Sequence, residues 1–318
     1  MASDNTPSAT GSQDAPARAF HFTHYLVYGV LCLIWGSTWM AIRVVVRDVP
    51  PLWSAGVRFA LAAVLLLLVA AVRGARAPQG PREWRAVAIL GMTMIAIPYG
   101  LLFWAEQFVT SSMTAVLYTA LPLCVAAFTP WMSKHSVPRS AILSMVVGVG
   151  GIAVLFGQGL TASRGTLLGG IAILLGVVSN GFSILLAKRE ISGMDPVVTT
   201  GWQFLVGAVA LVAGSQALER GRASQWTTHA IIALLFLAIV GSAVAFAIYY
   251  WLLRHMQPYQ ISTISLVIPI VAIIEGAAIL QEPIPPMMLV ASGVVLAAVA
   301  GVLRAQKSEP APVTLTEG

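Results

Sequence analysis

The chain has 318 residues, of which 58% are hydrophobic and only 9% are charged, and its mean hydropathy is +0.85. Soluble domains carry about 25% charged residues, so this composition excludes an ordinary soluble protein and indicates one that resides in lipid. The net charge of +6 is spread over short loops, which argues against a nucleic-acid-binding surface.

Ten apolar segments follow one another between residues 24 and 304, and each is close to the ~20 residues that a helix needs to cross a bilayer. Pro51, Pro138, Pro196 and Pro285 stand at or near segment starts, where a missing backbone N–H costs a helix little. The sequence therefore predicts an all-α membrane protein with ten transmembrane helices. Their expected bounds are 24–43, 52–73, 84–105, 109–132, 138–157, 165–188, 196–216, 228–253, 257–281 and 285–304.

The two ends of the chain differ from this apolar body. Residues 1–23, rich in Ser, Thr, Ala and Pro, and residues 305–318 are expected to be disordered cytoplasmic tails. No cleavable signal pattern precedes the first apolar segment, which is therefore expected to act as an uncleaved anchor. Twelve of the 18 lysines and arginines fall on the side of both termini, five fall on the other side, and Arg58 lies within a helix. Because positive residues accumulate in cytoplasmic loops, both termini are predicted to be cytoplasmic.

The second half of the apolar body repeats the first at an offset of 145 to 147 residues. We define the first half as residues 24–157 and the second half as residues 165–304. Each half carries five segments, and an odd number places the second copy upside down in the membrane, which is the usual build of secondary transporters. The coincident positions are Pro51 with Pro196, Gly56 with Gly201, Phe59 with Phe204, Phe103-Trp104 with Tyr250-Trp251, Pro122 with Pro269 and Pro138 with Pro285.

Three short motifs near the start of the chain carry a resemblance to a known family. They are Leu33-Ile34-Trp35-Gly36-Ser37-Thr38, Val49-Pro50-Pro51 and Arg58-Phe59. Together with the duplicated five-helix unit, they resemble EamA-type carriers of the drug/metabolite transporter superfamily. The aromatic third helix is also similar to that of the YddG-like aromatic amino-acid exporters. The resemblance implies a bacterial inner-membrane carrier, many of which export amino acids and other metabolites, with a cavity formed by the first, third, fourth, sixth, eighth and ninth helices.

Those six helices carry the candidate substrate-binding residues. Aromatic rings offer apolar contact, Tyr and Trp add a polar group, and a ring face can also hold a cation. The alternative is that Trp and Tyr anchor the helices at the membrane interface, and that buried polar groups bond from helix to helix. The aromatic candidates are Trp35, Trp39, Tyr99, Phe103, Tyr118, Phe182, Phe246 and Tyr249, and the polar candidates are Asn180 and Ser265.

Two ionisable residues, Arg58 and Glu275, lie inside predicted helices. A charge at this depth costs at least ~2.5 kcal/mol, so each needs a reason. Arg58 either bonds carbonyls of neighbouring helices or attracts a substrate carboxylate. Glu275 either relays a proton or pairs with Arg58. Glu106 and Glu282 are assigned to the outer boundary of the membrane-spanning region, where a charge needs no explanation.

Pro122 and Pro269 occupy equivalent interior positions of the fourth and ninth helices. A proline inside a helix removes one backbone hydrogen bond and bends the helix. The two helices are therefore expected to bend at matching depths, either as static kinks or as hinges.

The sequence predicts a secondary transporter that exports small organic metabolites by alternating access, with amino acids of aromatic or apolar character as the favoured cargo. Other drugs or metabolites remain an alternative cargo. The small multidrug relatives of the superfamily that this chain resembles use a buried Glu in the first helix to exchange protons for cations, and the lack of a carboxylate there speaks against cationic drugs. The scarcity of buried basic residues speaks against nucleotide-linked sugars. The expected partners are the small-molecule substrate and the lipid bilayer, with no nucleic acid, and the protein is expected to be a monomer or weak dimer.

A second alternative is a membrane enzyme or sensor that transports nothing. The short loops leave no room for a catalytic insert. The five histidines lie at helix ends or in the tail, and no His-x-x-x-His, Cys-x-x-Cys or Gly-x-Ser-x-Gly pattern is present. We therefore expect no enzymatic activity, no metal and no cofactor.

Overall fold

The structure is a computed structural model that describes residues 22–132, 138–191, 193–255 and 264–307, and every regular element within these ranges is a helix. Most of the two predicted tails lies outside the described residues. The α-helices are α1 (Phe22–Asp48), α2 (Pro51–Val72), α3 (Gly80–Leu90), α4 (Ile97–Ala105), α5 (Ser111–Tyr118), α6 (Leu121–Met132), α7 (Arg139–Ala162), α8 (Arg164–Glu190), α9 (Pro196–Leu218), α10 (Thr228–Leu235), α11 (Ala245–His255), α12 (Ile264–Ala278) and α13 (Pro286–Lys307).

Seven helical stretches of the described residues are long and apolar enough to cross a membrane, and three shorter apolar helices accompany them. The architecture is therefore that of an all-helical membrane protein. The seven stretches are Thr23–Asp48, Pro51–Val72, Gly80–Ala105, Ser111–Trp131, Arg164–Ala187, Pro196–Leu218 and Thr228–Tyr249, and the shorter helices are Arg139–Val154, Ile264–Ala278 and Pro286–Val302.

Helix α1 continues five residues beyond its predicted end at residue 43 and places Arg43 and Arg47 on the helix itself. The run Val44-Val45-Val46 disfavours a helix only slightly, and near a membrane a helix satisfies its own backbone groups, so α1 continues through it. The break comes where Pro50 forces its preceding residue into an extended conformation. The predicted bounds of the first helix were therefore too short at this end.

Two π-helical segments interrupt the helical ladder, one between α3 and α4 (Gly91–Ala96) and one between α10 and α11 (Phe236–Val244). In the first, the Ser179 hydroxyl donates to the carbonyl of Thr93 at 2.6 Å. In the second, the Ser242 hydroxyl donates to the carbonyl of Leu237 at 2.9 Å. Side chains thus use carbonyls that the wider turns expose, and such turns occur frequently at functional sites.

The predicted proline bends differ from one another in the described residues. Pro122 is the second residue of α6, directly after a non-helical step at Thr119 and Ala120 that separates α5 from α6. Pro269 lies inside α12, which is continuous from Ile264 to Ala278. The fourth predicted helix is therefore broken near its proline, whereas this part of the ninth is not. A hinge role for the two prolines stays a prediction.

Helices of the first half pack mainly against helices of the second half. The closest approaches need glycine, as where Gly176 of α8 meets the backbone of Pro98, because a Cβ atom there would lie 3.2 Å from the Pro98 carbonyl oxygen. Leu211, Phe204 and Phe59 belong to the core that forms along the contact between α2 and α9. The main pairs are α2 with α9, α7 with α13, α1 with α12, α6 with α8, α4 with α8, and α1 with α10 and α11.

Candidate functional site

One cluster of aromatic and polar side chains lies where α1, α2, α4, α5 and α8 meet. It contains five of the predicted substrate-binding residues and the predicted buried cation, and most of its side chains are hidden from solvent. We call it the aromatic–arginine cluster. Its members are Trp39, Arg58, Phe59, Tyr99, Phe103, Tyr118 and Asn180.

Arg58 is the charged member of this cluster and is 3% exposed. Its guanidinium carbon lies 5.1 Å from the ring centroid of Phe59, 5.4 Å from that of Tyr99 and 6.0 Å from that of Phe103. Its Nε donates to the Ser242 hydroxyl at 3.3 Å, while Nη1 has no hydrogen-bond partner among the described residues. The guanidinium is thus held by ring faces and one long hydrogen bond, and both N–H bonds of Nη1 remain without an acceptor among the described residues.

Tyr118 joins three helices at the other side of the cluster. Its ring centroid lies 5.2 Å from that of Trp39, and its hydroxyl accepts a hydrogen bond from Asn180 Nδ2 at 2.7 Å. Trp39 Nε1 and Asn180 Oδ1 are buried and have no partner among the described residues. Tyr118 is also the last residue of α5, directly before the break at Thr119. The cluster therefore adjoins the point where the helix is interrupted.

A second aromatic group contains three further predicted residues. Trp35 lies 6.0 Å from Phe246 and 5.5 Å from Tyr249, measured between ring centroids. Phe204 connects this group to the cluster, since its centroid lies 5.5 Å from Phe246 and 5.0 Å from Phe59. Neither Phe59 nor Phe204 was a predicted site residue, although their equivalent positions in the repeat were a signal that could have drawn attention to the pair.

Phe182 and Ser265 are not brought into the cluster by any described contact. Phe182 is 41% exposed, and its ring packs against Phe128 at 6.1 Å. It follows Asn180 by two residues, which is about 200° around a helix, so only one of the two can face the cluster. Ser265 is half-buried in the first turn of α12.

The Glu275 carboxylate hydrogen-bonds to a side chain of α1 and forms no ion pair with Arg58 among the described residues. Its Oε1 accepts a hydrogen bond from the Ser37 hydroxyl at 2.7 Å, and its Oε2 is buried without a partner among the described residues. No ion pair joins Glu275 to Arg58 within 4.0 Å in this part of the chain. Of the two alternatives for Glu275, the pairing with Arg58 is therefore not seen among the described residues, and the proton-relay role stays a prediction.

Glu106, which the sequence assigned to the membrane boundary, is completely buried. Neither carboxylate oxygen accepts a hydrogen bond of normal geometry from the described residues. Burial raises the pKa of Glu106 well above its ordinary value; the Thr114 hydroxyl and Arg43 act in the opposite direction, and Glu282 adds to the increase. A carboxyl in this setting favours its neutral form. The assignment of Glu106 to the membrane boundary therefore did not predict its burial or its protonation.

Two other carboxylates, of Glu282 and Glu219, connect the two halves at the starts of α5 and α2. Glu282 accepts hydrogen bonds from the backbone N–H and hydroxyl groups of both Ser111 and Ser112, at 2.9–3.2 Å. Glu219 accepts from the backbone N–H groups of Leu52 and Trp53 at 2.9 and 3.1 Å. In each case a second-half carboxylate caps the start of a first-half helix, where unpaired N–H groups favour an anion. We call these two contacts the carboxylate caps.

The described cavities lie away from the predicted substrate-binding residues. One, of about 540 Å³, lies beside α2, the start of α9 and the second π-helical segment, and Arg73 and Asp195 are among its lining residues. The other, of about 520 Å³, lies between α1 and α12 on their apolar surface. Of the cluster residues, Tyr99 and Tyr118 are partly exposed, whereas Arg58, Phe59 and Phe103 are buried. The described residues also contain no group of three or more His, Cys, Asp or Glu side chains that could hold a metal ion.

Comparison with known proteins gives consistent matches. The sequence matches the EamA-like transporter family twice, over residues 24–157 and residues 167–304. The uncharacterized inner membrane transporter YedA of Escherichia coli (strain K12) is 30% identical over 270 residues, which cover 85% of this chain and 87% of that protein. The uncharacterized transporter YoaV of Bacillus subtilis (strain 168) is 27% identical over 253 residues, covering 79% of this chain and 87% of that protein.

A solved structure described only as "Crystal structure of protein" has a similar fold. Its TM-score is 0.62 and its sequence identity is 16%, and the match covers 89% of this chain and 99% of that chain. At this identity the likeness concerns the arrangement of the helices alone.

Proposed function

Because this chain belongs to the EamA-like transporter family, we propose that it is a secondary transporter that exports small organic metabolites by alternating access. It is an integral protein of the bacterial inner membrane. The preferred cargo is an amino acid with an aromatic or apolar side chain, and the aromatic–arginine cluster is where the cargo binds.

The observation that carries this proposal is the set of open polar atoms inside an aromatic enclosure. Trp39 Nε1, Arg58 Nη1 and Asn180 Oδ1 are all buried without a hydrogen-bond partner among the described residues. Buried polar groups in proteins are nearly always hydrogen-bonded, so several unpaired ones in one place indicate a site for a polar ligand. The surrounding rings supply the apolar contact that such a ligand's side chain needs.

Alternating access requires two halves that exchange roles, and the packing supports such a pair. If each first-half helix is exchanged with its repeat equivalent, the contact of α1 with α12 becomes that of α8 with α6. The contacts of α2 with α9 and of α7 with α13 map onto themselves. The two π-helical segments also begin 145 residues apart, at Gly91 and Phe236, which equals the repeat offset. These regularities support ten transmembrane helices in two inverted halves, and the distribution of lysine and arginine supports both termini in the cytoplasm.

The carboxylate caps support a direction of loading. They lie at the end of the bundle that the positive-residue distribution assigns to the outside. A further bond there joins the halves, because the Thr227 hydroxyl donates to Asp48 at 2.5 Å. Closure at this end means that the cluster loads from the cytoplasm, and export then requires the caps to release. Bending near Pro122 and Pro269 would accompany that release.

The charge of the cluster also bears on the kind of cargo. Arg58 places a positive charge inside the site, and a cationic solute would be repelled at short range in a medium of low dielectric constant. The cluster contains no carboxylate among its members, so nothing there offsets that repulsion for a cation. Cationic drugs are therefore the poorer fit.

A counterflow assay in liposomes tests the proposal. Vesicles that contain purified protein and a high internal concentration of unlabelled phenylalanine are diluted into labelled phenylalanine, leucine or lysine. We expect saturable accumulation of phenylalanine and leucine and little of lysine, with no accumulation in protein-free vesicles. Absence of saturable flux for every amino acid in a wider panel would contradict the proposed function.

Two matched aromatic variants connect the flux to the cluster. Trp39→Ala removes a buried ring and an open N–H group, so phenylalanine flux is expected to fall at least about tenfold. Phe182→Ala removes a ring that is 41% exposed and has no described contact with the cluster, so the flux should stay within about twofold of the wild type. Equal losses in both variants would argue that the cluster is not the binding site.

A further inference from the structure

We propose that Arg58 is the carboxylate anchor of the aromatic–arginine cluster, and that the protein selects solutes by a carboxylate group placed next to an apolar or aromatic side chain. The inference rests on the proposed transport function and specifies its substrate class. It assigns a binding role to a residue whose sequence position is also compatible with a structural one.

The charge of Arg58 is incompletely compensated by its neighbours. A guanidinium stays protonated in proteins, and holding it inside a membrane bundle is costly unless a counter-ion or several acceptors surround it. Among the described residues no carboxylate lies within 4.0 Å of it; its Nε bonds to the Ser242 hydroxyl, and its Nη1 has no acceptor there. The ring faces of Phe59, Tyr99 and Phe103 attract the cation but accept no ordinary hydrogen bond. An anion is therefore the ligand that this group lacks.

The repeat places a neutral residue at the position equivalent to Arg58. The position equivalent to Arg58 in the second half is Gln203, which lies on α9 where that helix packs against α2. Gln203 is 5% exposed, so it is as buried as Arg58, yet it is neutral. A neutral side chain thus fills the equivalent place in the same fold. The charge in the first half is therefore not a requirement of helix packing.

The neighbours of Arg58 offer further contacts for the carboxylate and the ammonium group of an amino acid. A Cβ atom on Gly241 would lie 2.9 Å from Thr38 Cγ2 and 3.9 Å from Arg58 Nη2, so the guanidinium lies beside the segment of α1 that carries Trp39. Trp39 Nε1 is a second open donor for a carboxylate. Asn180 Oδ1 is an open acceptor for an ammonium group, and Tyr118 bonded to Asn180 offers a ring face to it.

The number of cations limits the anion to a single carboxylate. A phosphate group is bound in proteins by several donors, commonly more than one cation or a helix N-terminus. Arg58 is the single cation among the cluster residues, and it lies within α2 rather than at the start of a helix. A carboxylate, which accepts two parallel N–H bonds from one guanidinium, matches this site better than a phosphate does.

Substrate analogues test the anchor without altering the protein. Counterflow is measured in wild-type vesicles for phenylalanine and for phenylalaninamide, which keeps the ring and the amino group but lacks the carboxylate. We expect at least about tenfold faster uptake of phenylalanine at low concentration, because a charge-assisted hydrogen bond is lost with the amide. Equal uptake of both overturns the anchor and leaves the transport function standing. No flux of any solute overturns the transport function, and the anchor with it.

Variants of Arg58 then separate recognition from packing. Arg58→Gln installs the side chain of its repeat equivalent, and the ratio of phenylalanine to phenylalaninamide uptake is expected to fall to within about twofold of one. Arg58→Lys keeps the charge and should recover part of the ratio. Arg85→Gln, which removes an exposed arginine, is the matched control and should keep the wild-type ratio. A purely structural Arg58 would lower both uptakes equally and leave the ratio unchanged, which would overturn the proposal.

Discussion

The contact between Glu282 and the start of α5 allows one prediction to be worked out in detail. The carboxylate accepts four hydrogen bonds from Ser111 and Ser112, whose side chains are 0% and 1% exposed. Glu282→Ala removes every acceptor at once. Two backbone N–H groups and two hydroxyls at the helix start then lose the partner that the second half supplies.

The magnitude follows from the kind of bond. A hydrogen bond to a charged group contributes about 1.5–3 kcal/mol, but four bonds to one carboxylate are not additive. Loss of a helix N-cap alone costs about 0.5–2 kcal/mol. Because the two serines are buried and water reaches them only if the loop moves, we expect Glu282→Ala to lower the free energy of unfolding by about 2–4 kcal/mol. Glu282→Gln keeps one acceptor oxygen and should lose about half as much.

The assay is reversible unfolding of the purified protein in mixed micelles, followed by tryptophan fluorescence. Glu83→Ala is the matched control, since Glu83 accepts a backbone hydrogen bond from Gln79 at the start of α3, on the surface and within one half. We expect a loss of about 1 kcal/mol or less for this control. If Glu282→Ala were no more destabilising than Glu83→Ala, the idea that the carboxylate caps hold the halves together would be refuted.

Two further predictions concern packing and protonation. Gly36→Ala places a Cβ atom against Val271 and should destabilise the protein by about 1–3 kcal/mol. In the control Gly29→Ala, on the same helix, the added Cβ atom meets nothing within 4 Å, so this variant should be neutral or stabilised by up to about 1 kcal/mol. Equal unfolding midpoints for the two variants would contradict the contact between Gly36 and Val271. Burial raises the pKa of Glu106 well above its ordinary 4.5, so the native protein holds a proton that the unfolded chain has released. Stability should therefore fall as the pH rises from 4.5 through the raised pKa, and Glu106→Gln should reduce the difference between melting temperatures at pH 5 and pH 8; an unchanged difference would count against the buried carboxyl.

The helices themselves could be predicted from the sequence because lipid imposes simple rules. Each apolar run must satisfy its backbone internally, so a run of sufficient length becomes a helix, and Pro50 and Pro196 mark where helices end or begin. The error at the end of α1 arose because Arg43 and Arg47 were treated as loop residues. Charged side chains can remain on a helix near the membrane surface when their long stems reach toward water.

The orientation of side chains within the site was harder to predict. In a membrane helix the lipid-facing and protein-facing sides are both apolar, so periodicity does not show which side faces inward. Asn180 and Phe182 on α8 illustrate this, since both were plausible and only Asn180 has a described contact with the cluster. The rotation of α8 is set by close packing at Gly176, a tertiary effect that the local sequence does not encode.

The burial of Glu106 and the placement of Arg58 also depend on tertiary structure. Glu106 follows the last residue of α4, and a position at a helix end ordinarily indicates exposure. Arg43 and Glu282, both distant in sequence, interact with it electrostatically, so its surroundings come from other parts of the fold. Arg58 was recognised as a costly charge, but its aromatic surroundings come partly from α4, which the sequence of α2 alone cannot reveal.

The most direct test of the binding site is an experimental structure of the protein with phenylalanine bound. We expect the ligand within the aromatic–arginine cluster, with its carboxylate at Arg58 Nη1 and its ring against Trp39 or Tyr118. Phenylalanine bound instead in the cavity beside α2 and α9, with Arg58 unaltered and distant from it, would contradict the proposed binding site.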